Sequence, residues 1–291
     1  MGIRPLGRSV ALASVSVVAM ILPLVVRPAP ASALSATCQG LKATIVGSEG
    51  PDRITGTPRR DVVVGRGGDD FIQTLQGNDT VCAGAGTDHV SGGEGDDDLT
   101  GGADGDTLAG GAGNDVLDGA WGENILMGGP GDDRMAGGND GELMRGGEGD
   151  DLFDGFGGED RLFGEDGDDT LLGMAGDDLL NGGPGSDTAS FAFADSGTNG
   201  AGVIADLTTN RATGEGSDHL TGIENLQGSF GNDSLTGGNG DNILDALFGS
   251  DSLTGRNGDD LLDGGSGYDA GDGGGGTDAC VEIEIPSSCE S

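Results

Sequence analysis

One sizeable hydrophobe returns every nine residues along most of this chain, with polar residues on either side of it. From Gly47 the sequence divides without a gap into GSEGPDRIT, GTPRRDVVV, GRGGDDFIQ, TLQGNDTVC and onward to GGPGSDTAS, sixteen units ending at Ser190. A second block, Gly228 to Val281, adds six more. Position eight is a sizeable hydrophobe in 19 of 22 units, among them Ile54, Leu99, Leu117, Phe153, Leu180 and Leu262; Ala189, Gly271 and Cys280 are the weak ones. Positions seven and nine mix Asp, Thr, Arg and Ser, so the pattern predicts a short strand with one side chain inward and its neighbours outward. Position four is Gly in 19 units, departing at Arg59, Asp104 and Asp140, and Gly is frequent at positions one and two. Those glycines allow the positive φ of a sharp turn before each strand.

Position six is Asp in 19 units, with Asn124, Glu142 and Asn242 the exceptions. At these residues the chain resembles the RTX, or haemolysin-type, nonapeptide repeat of bacterial exported proteins, over 198 of its 291 residues. The resemblance implies an all-β fold, a right-handed parallel β-roll or β-helix solenoid. Its first six residues per unit would form the turn and its last three the strand. Two units would make one coil, so that units n and n+2 stack.

Stacking would bring one Asp per coil into a column at the strand spacing of ~4.8 Å. A column of carboxylates repels itself, and a cation between successive turns relieves that repulsion. Asp oxygens and backbone carbonyls suit Ca²⁺ better than Mg²⁺, which demands octahedral geometry, while zinc calls for His or Cys. The expected ligands of multiple calcium ions are Asp52, Asp61, Asp70, Asp79, Asp88, Asp97, Asp106, Asp115, Asp133, Asp151, Asp160, Asp169, Asp178 and Asp187 in the first block. Asp233, Asp251, Asp260, Asp269 and Asp278 follow in the second. Even-numbered units of the first block keep every position-six Asp, whereas the odd series is disturbed at Asp104, Asn124, Asp140 and Glu142. Weak or empty sites are therefore expected around Asn124 and Glu142, with the strongest between Asp97 and Asp187 on the even side.

The remaining segments suggest a division into a signal peptide (1–33), an N-terminal cap (34–46), the first roll (47–190), an interruption (191–227), the second roll (228–281) and a C-terminal cap (282–291). Alternation in 190–194 and 202–207 points to strands within the interruption. By resemblance that segment continues the solenoid as wider coils; a flexible linker between two rolls is the alternative. Arg4 and Arg8, the apolar run Val10 to Val26 and the small residues Ala31-Ser32-Ala33 outline a secretory leader. The rival, a membrane anchor, is opposed by the shortness of the run and by Pro23. No second stretch of that kind follows, so no span is expected after cleavage.

Net charge is −38, with 51 acidic residues against 13 basic ones, and aromatics make up 3%. Removing the leader takes away three arginines, leaving −41. Nucleic acid is excluded as a partner by the lack of basic clusters. So little apolar surface implies that something besides a core stabilises the fold. Four cysteines, Cys38, Cys82, Cys280 and Cys289, fit an oxidising compartment and allow three pairings. Pairing within each terminus is expected, because a stiff stacked chain keeps its ends apart.

Enzyme motifs are missing: there is neither HExxH nor GxSxG, and Lys42 is followed by Ala, which rules out a Walker loop. Between leader and repeats only residues 34–46 remain, so no catalysis is expected. His89 and His219 are 130 residues apart, too far for a shared site, and Trp121 in GAWGENILM is expected to pack, an exposed ligand-stacking ring being the alternative. The sequence thus reads as a secreted, extracellular calcium-binding protein that folds on Ca²⁺. A structural or adhesive protein with a cell-surface or matrix partner is the first alternative, and a hydrolase with an unrecognised site the second.

Overall fold

In a computed structural model, residues 36–194 and 201–289 are described; the leader assigned to 1–33 lies outside them. Those residues are all strand and turn, with no helix among them. Two sheets of mainly parallel strands face each other, an all-parallel one of thirteen strands and one of fifteen. Odd-numbered units supply the larger sheet, beginning Arg53–Thr55, Phe71–Gln76, His89–Glu94, and even-numbered units the smaller, beginning Val62–Gly67, Thr80–Ala85, Asp98–Ala103. Within the first block every paired residue lies eighteen positions from its partner, as in Ile72↔Val90 and Leu117↔Leu99. Two nonapeptides therefore make one coil of a β-solenoid.

The register follows from the repeat. Position eight points between the sheets, and Ile72, Leu99, Leu117, Phe153 and Leu180 are fully buried in one continuous file. From Val62–Gly67 to Arg161–Asp166 the strands are longer than three residues: Phe71–Gln76 runs on through positions two and three of the next unit, where Leu75↔Gly93 and Gln76↔Glu94 pair again. At position four the chain turns through positive φ. Gly149 has φ +125°, and a Cβ there would also collide with the carbonyl of Gly131 one coil below.

Both sheets run through the interruption, and they do so unequally. On the smaller sheet Asn225–Gln227 is the sole strand between Thr188–Ser190 and Ile243–Asp245. On the larger sheet three strands intervene. Ser217–Thr221 lies parallel on Leu179–Asn181, Arg211–Thr213 pairs antiparallel with it, and Ala201–Asp206 pairs antiparallel in turn. The second block restarts with Asn232–Thr236 parallel on Ala201–Asp206. Segment 191–194, read from its alternation as strand, is a turn closed by Ala194 N–H on the Phe191 carbonyl.

At the amino end the hairpin of Thr37–Cys38 and Leu41–Lys42 is tied to the smaller sheet by a Cys38–Cys82 disulfide and by a Gln39 Nε2 bond to Asp98 Oδ1 at 2.6 Å. Ile45–Val46 adds the terminal strand beside Val63–Val64. At the carboxyl end Ile285–Ser287 pairs with Ala270–Asp272, and Cys280 is bridged to Cys289. Position eight is vacant at Gly271, and the gap is filled by Ile283, whose Cδ1 stands 3.2 Å from where a Cβ would be.

Candidate metal centre

Each solenoid edge carries a column of position-six carboxylates, and the columns are built the same way. Strand pairing holds successive turns in register, so within the columns one oxygen of an Asp meets the backbone N–H of its counterpart one coil earlier. Asp79 N–H donates to Asp97 Oδ1 at 2.8 Å, Asp97 N–H to Asp115 Oδ1 at 2.8 Å, and Asp115 N–H to Asp133 Oδ1 at 2.7 Å. On the opposite edge Asp70 N–H donates to Asp88 Oδ1 and Asp160 N–H to Asp178 Oδ1. The second block repeats the arrangement from Asp233 through Asp251 to Asp269, and from Asn242 through Asp260 to Asp278.

The second oxygen decides the chemistry. Oδ2 of Asp70, Asp79, Asp88, Asp97, Asp106 and Asp115 is buried without a hydrogen-bond partner, as it is for Asp133, Asp151, Asp160, Asp169, Asp178, Asp187, Asp251, Asp260 and Asp269. A buried, unpaired carboxylate oxygen costs several kcal/mol unless something positive meets it. What surrounds it is carbonyl oxygen: a Cβ placed on Gly128 would fall 2.8 Å from Gly146 O while also striking Asp133 Oδ2. Gly at position one thus leaves a cradle between one turn's carboxylate and the next turn's carbonyl. Among the described residues no three His, Cys, Asp or Glu side chains converge, and the oxygens gathered at each turn are one carboxylate and backbone carbonyl. All-oxygen donors of this kind fit a hard divalent cation such as Ca²⁺.

Proton affinity reports the same frustration. Burial pushes Asp88, Asp97, Asp133, Asp169 and Asp178 up to about 6, against the relief given by each N–H bond. Asp106, Asp115, Asp187 and Asp251 rise to about 7 and Asp151 to about 8, burial again leading, with neighbouring carboxylates of the column adding to it. The buried pair Glu142 and Asp160 is raised as well, chiefly by burial.

Several rungs differ. Asn124 Oδ1 still accepts Asp106 N–H, but its Nδ2 donates to Gly122 O at 2.7 Å, so an amide hydrogen stands where other rungs lack a positive group. Asn242 also donates its amide to a carbonyl, Glu224 O at 2.6 Å, while its Oδ1 accepts the N–H of Gly238 in its own turn. Glu142 reaches Gly138 N–H with Oε2 and leaves Oε1 buried without a partner. Asp52, Asp61 and Asp233 have their Oδ2 met by the N–H of Ser48, Thr57 and Ser229.

Three ladder members escaped the nonapeptide count. Asp178 N–H donates to Asp218 Oδ1 at 3.2 Å, and Asp218 is pushed to about 7 by burial. Its sequence, TGEGSDHLT, is a complete unit with Gly, Asp and Leu at positions four, six and eight, hidden by its shifted phase. Asp187 N–H donates to Glu224 Oε2 at 3.0 Å and Asp269 N–H to Glu284 Oε2 at 2.7 Å. Position five adds a second, exposed ladder on the even edge, where Asp132, Asp150, Asp168 and Ser186 N–H groups bond the preceding turn's Asn114, Asp132, Asp150 and Asp168.

His89 and His219 lie on the outer side of the larger sheet, six strands apart. Trp121 corrects the expectation of packing: 49% of its surface is exposed. It sits at position three of its turn, outside the coil, where Ala103 and Asn139 of the adjoining coils are too small to cover it.

A parallel β-solenoid with an acidic ladder in each turn column defines a cation-binding repeat architecture. The chain belongs to the RTX calcium-binding nonapeptide repeat family, whose four-copy signature matches in overlapping stretches from 46–81 to 154–189 and again from 220–253 to 246–279. No curated protein matches the chain.

Proposed function

We propose that this chain is a secreted protein that folds by taking up calcium ions along its turn columns and has no catalytic step of its own. The observation that carries the reading is the file of buried Oδ2 atoms without partners, repeated in coil after coil. The position-six aspartates named from the sequence would hold the ions through their carboxylates, those with an unpartnered Oδ2 using it together with a carbonyl of the adjoining turn, as at Asp133 and Gly146. Asp218 would extend the series into the interruption, whereas Asn124 and Asn242 would need no ion because their amides already bond carbonyl oxygen. When bound, calcium supplies the positive charge that a column of like carboxylates lacks. Protein residues do the rest: the N–H bonds fix Oδ1, the glycines leave room for Oδ2, and strand pairing sets the spacing.

Export fits this chemistry. Two disulfides point to an oxidising compartment. Extracellular sites work at ~10⁻⁴–10⁻³ M Ca²⁺, so a chain poor in core would stay expanded where calcium is scarce and order itself outside. Circular dichroism of the leaderless protein tests this. Millimolar Ca²⁺ should produce a β spectrum that an equal concentration of Mg²⁺ does not, and a spectrum indifferent to chelator would sink the proposal.

A further inference from the structure

Exposed aromatic rings are distributed unevenly over this solenoid. Connections from the smaller sheet to the larger run along one edge and the return connections along the other. Among the described residues, Trp121, Phe193, Phe230, Phe248 and Tyr268 are exposed on the first edge, while Phe71 is the one exposed ring on a sheet face. Across the second block that edge consists of 228–232, 246–250 and 264–268, reading GSFGN, ALFGS and GGSGY on successive coils. Apart from the buried ladder aspartates Asp233, Asp251 and Asp269 that follow them, these turns hold no charged residue, in a chain with 51 acidic residues. The opposite edge of the same coils exposes Asp241 and Asp259. Phe230 and Phe248 stand with ring centroids 5.3 Å apart, and Phe248-Gly249 pairs with Ser266-Gly267, which sets Tyr268 on the next turn. The three rings are 54%, 50% and 64% exposed, with Asn232, Ser250 and Ser266 exposed beside them.

We propose that this edge binds a neutral polysaccharide, its sugar rings stacked on Phe230, Phe248 and Tyr268. Single exposed hydrophobes are ordinary, but rings grouped on consecutive coils mark an interaction site. Aromatic faces carry a negative quadrupole that attracts the C–H faces of a pyranose, and serine and asparagine side chains suit its hydroxyls. A net charge of −38 repels phosphate and carboxylate polymers, so an edge whose exposed residues are uncharged fits an uncharged polymer. Rings placed one per coil match a ligand that is itself a linear repeat. A second copy of the chain fits poorly: three half-exposed rings offer roughly 300 Å², against the ~800 Å² per partner of a stable interface.

The test uses calcium-loaded full-length protein on microcrystalline cellulose, β-1,3-glucan, mannan and chitin, with polygalacturonate and phosphatidylcholine vesicles as contrasts. At least one neutral glycan should retain it. Phe248→Ser and Tyr268→Ser should each weaken that binding about three- to tenfold with the β spectrum unchanged. Phe248→Tyr should restore it, and Phe71→Ser on the sheet face should leave it intact. The proposal is overturned if no neutral glycan retains the protein or if the serine variants bind as well as the parent. It is equally overturned if their defect appears in vesicle binding or in the mass of a dimer at sedimentation equilibrium.

Discussion

Exchanging an aspartate and an asparagine between rungs gives the most direct test of the ladder chemistry. Asp133 Oδ1 accepts Asp115 N–H at 2.7 Å, and its Oδ2 is buried without a partner. Alanine would remove both functions at once. Asp133→Asn keeps the acceptor and offers an amide to the Gly131 carbonyl, as Asn124 does to Gly122. A buried carboxyl titrating at about 6 instead of 3.8 weighs about 3 kcal/mol against the calcium-free fold above pH 6. The variant should therefore be more stable than its parent in chelator. Its response to calcium should shrink: one site of Kd ~10⁻⁴–10⁻³ M in ~10 mM calcium contributes about 1.4–2.7 kcal/mol. Asn124→Asp should do the reverse, losing stability in chelator and gaining about that much calcium response. Guanidinium unfolding followed by circular dichroism, with and without calcium, measures all four quantities. Unchanged calcium responses in both variants would show that ions are not held by the position-six oxygens.

Three further outcomes follow from the same geometry. In chelator, the Asp97, Asp115 and Asp151 carboxyls have folded values of about 6, 7 and 8, above the ordinary 3.8, so their contribution is fully present below about pH 3.8 and lost as pH rises through 6 to 8; β signal should grow on acidification, and calcium should abolish that dependence. Gly149→Ala should destabilise by at least about 2 kcal/mol, because φ is +125° and the Gly131 carbonyl occupies the Cβ position, while Gly50→Ala, with open space around it, should change stability by less than about 0.5 kcal/mol in the same unfolding assay. Replacing Cys38 and Cys82 together by serine should cost about 4 kcal/mol and replacing Cys280 and Cys289 about 2.7 kcal/mol, since the first bridge closes the longer loop; equal losses would contradict the loop-entropy account.

The solenoid, its eighteen-residue register and its inward file were legible because three constraints share one period. Position eight must be apolar to be buried, position four must tolerate positive φ, and position six must accept an N–H from the coil before. Legibility ended where the period breaks. TGEGSDHLT satisfies all three constraints, yet it lies out of phase with both blocks. Glu224 and Glu284 perform the aspartate's hydrogen bond with a longer side chain and so carry no signature at position six. The antiparallel pairs formed by Ala201–Asp206, Arg211–Thr213 and Ser217–Thr221 obey a local hairpin logic that a search for parallel repeats does not register. Trp121 shows the converse: the repeat assigned it a place in the turn, but exposure depends on neighbours eighteen residues away.

Those departures share a physical logic at the ends of the two blocks. Gly222-Ile223-Glu224 and Glu282-Ile283-Glu284 are built alike: φ is +58° and +48° at the first residue, and each isoleucine packs against the core file. Each glutamate accepts the N–H of the last ladder aspartate, Asp187 or Asp269, and its own N–H and that of the next residue return to that aspartate's carbonyl. A ladder rung needs its successor to satisfy its N–H, so a column cannot simply stop. Glutamate closes it because the extra methylene lets the carboxylate reach back from a shortened turn. At the internal junction Glu224 also offers its own carbonyl to the Asn242 amide, so that column crosses from one block to the next through direct hydrogen bonds. The repeat leaves carboxylate oxygens buried and unpaired through each block and then, at the junction, substitutes residues whose polar groups meet each other.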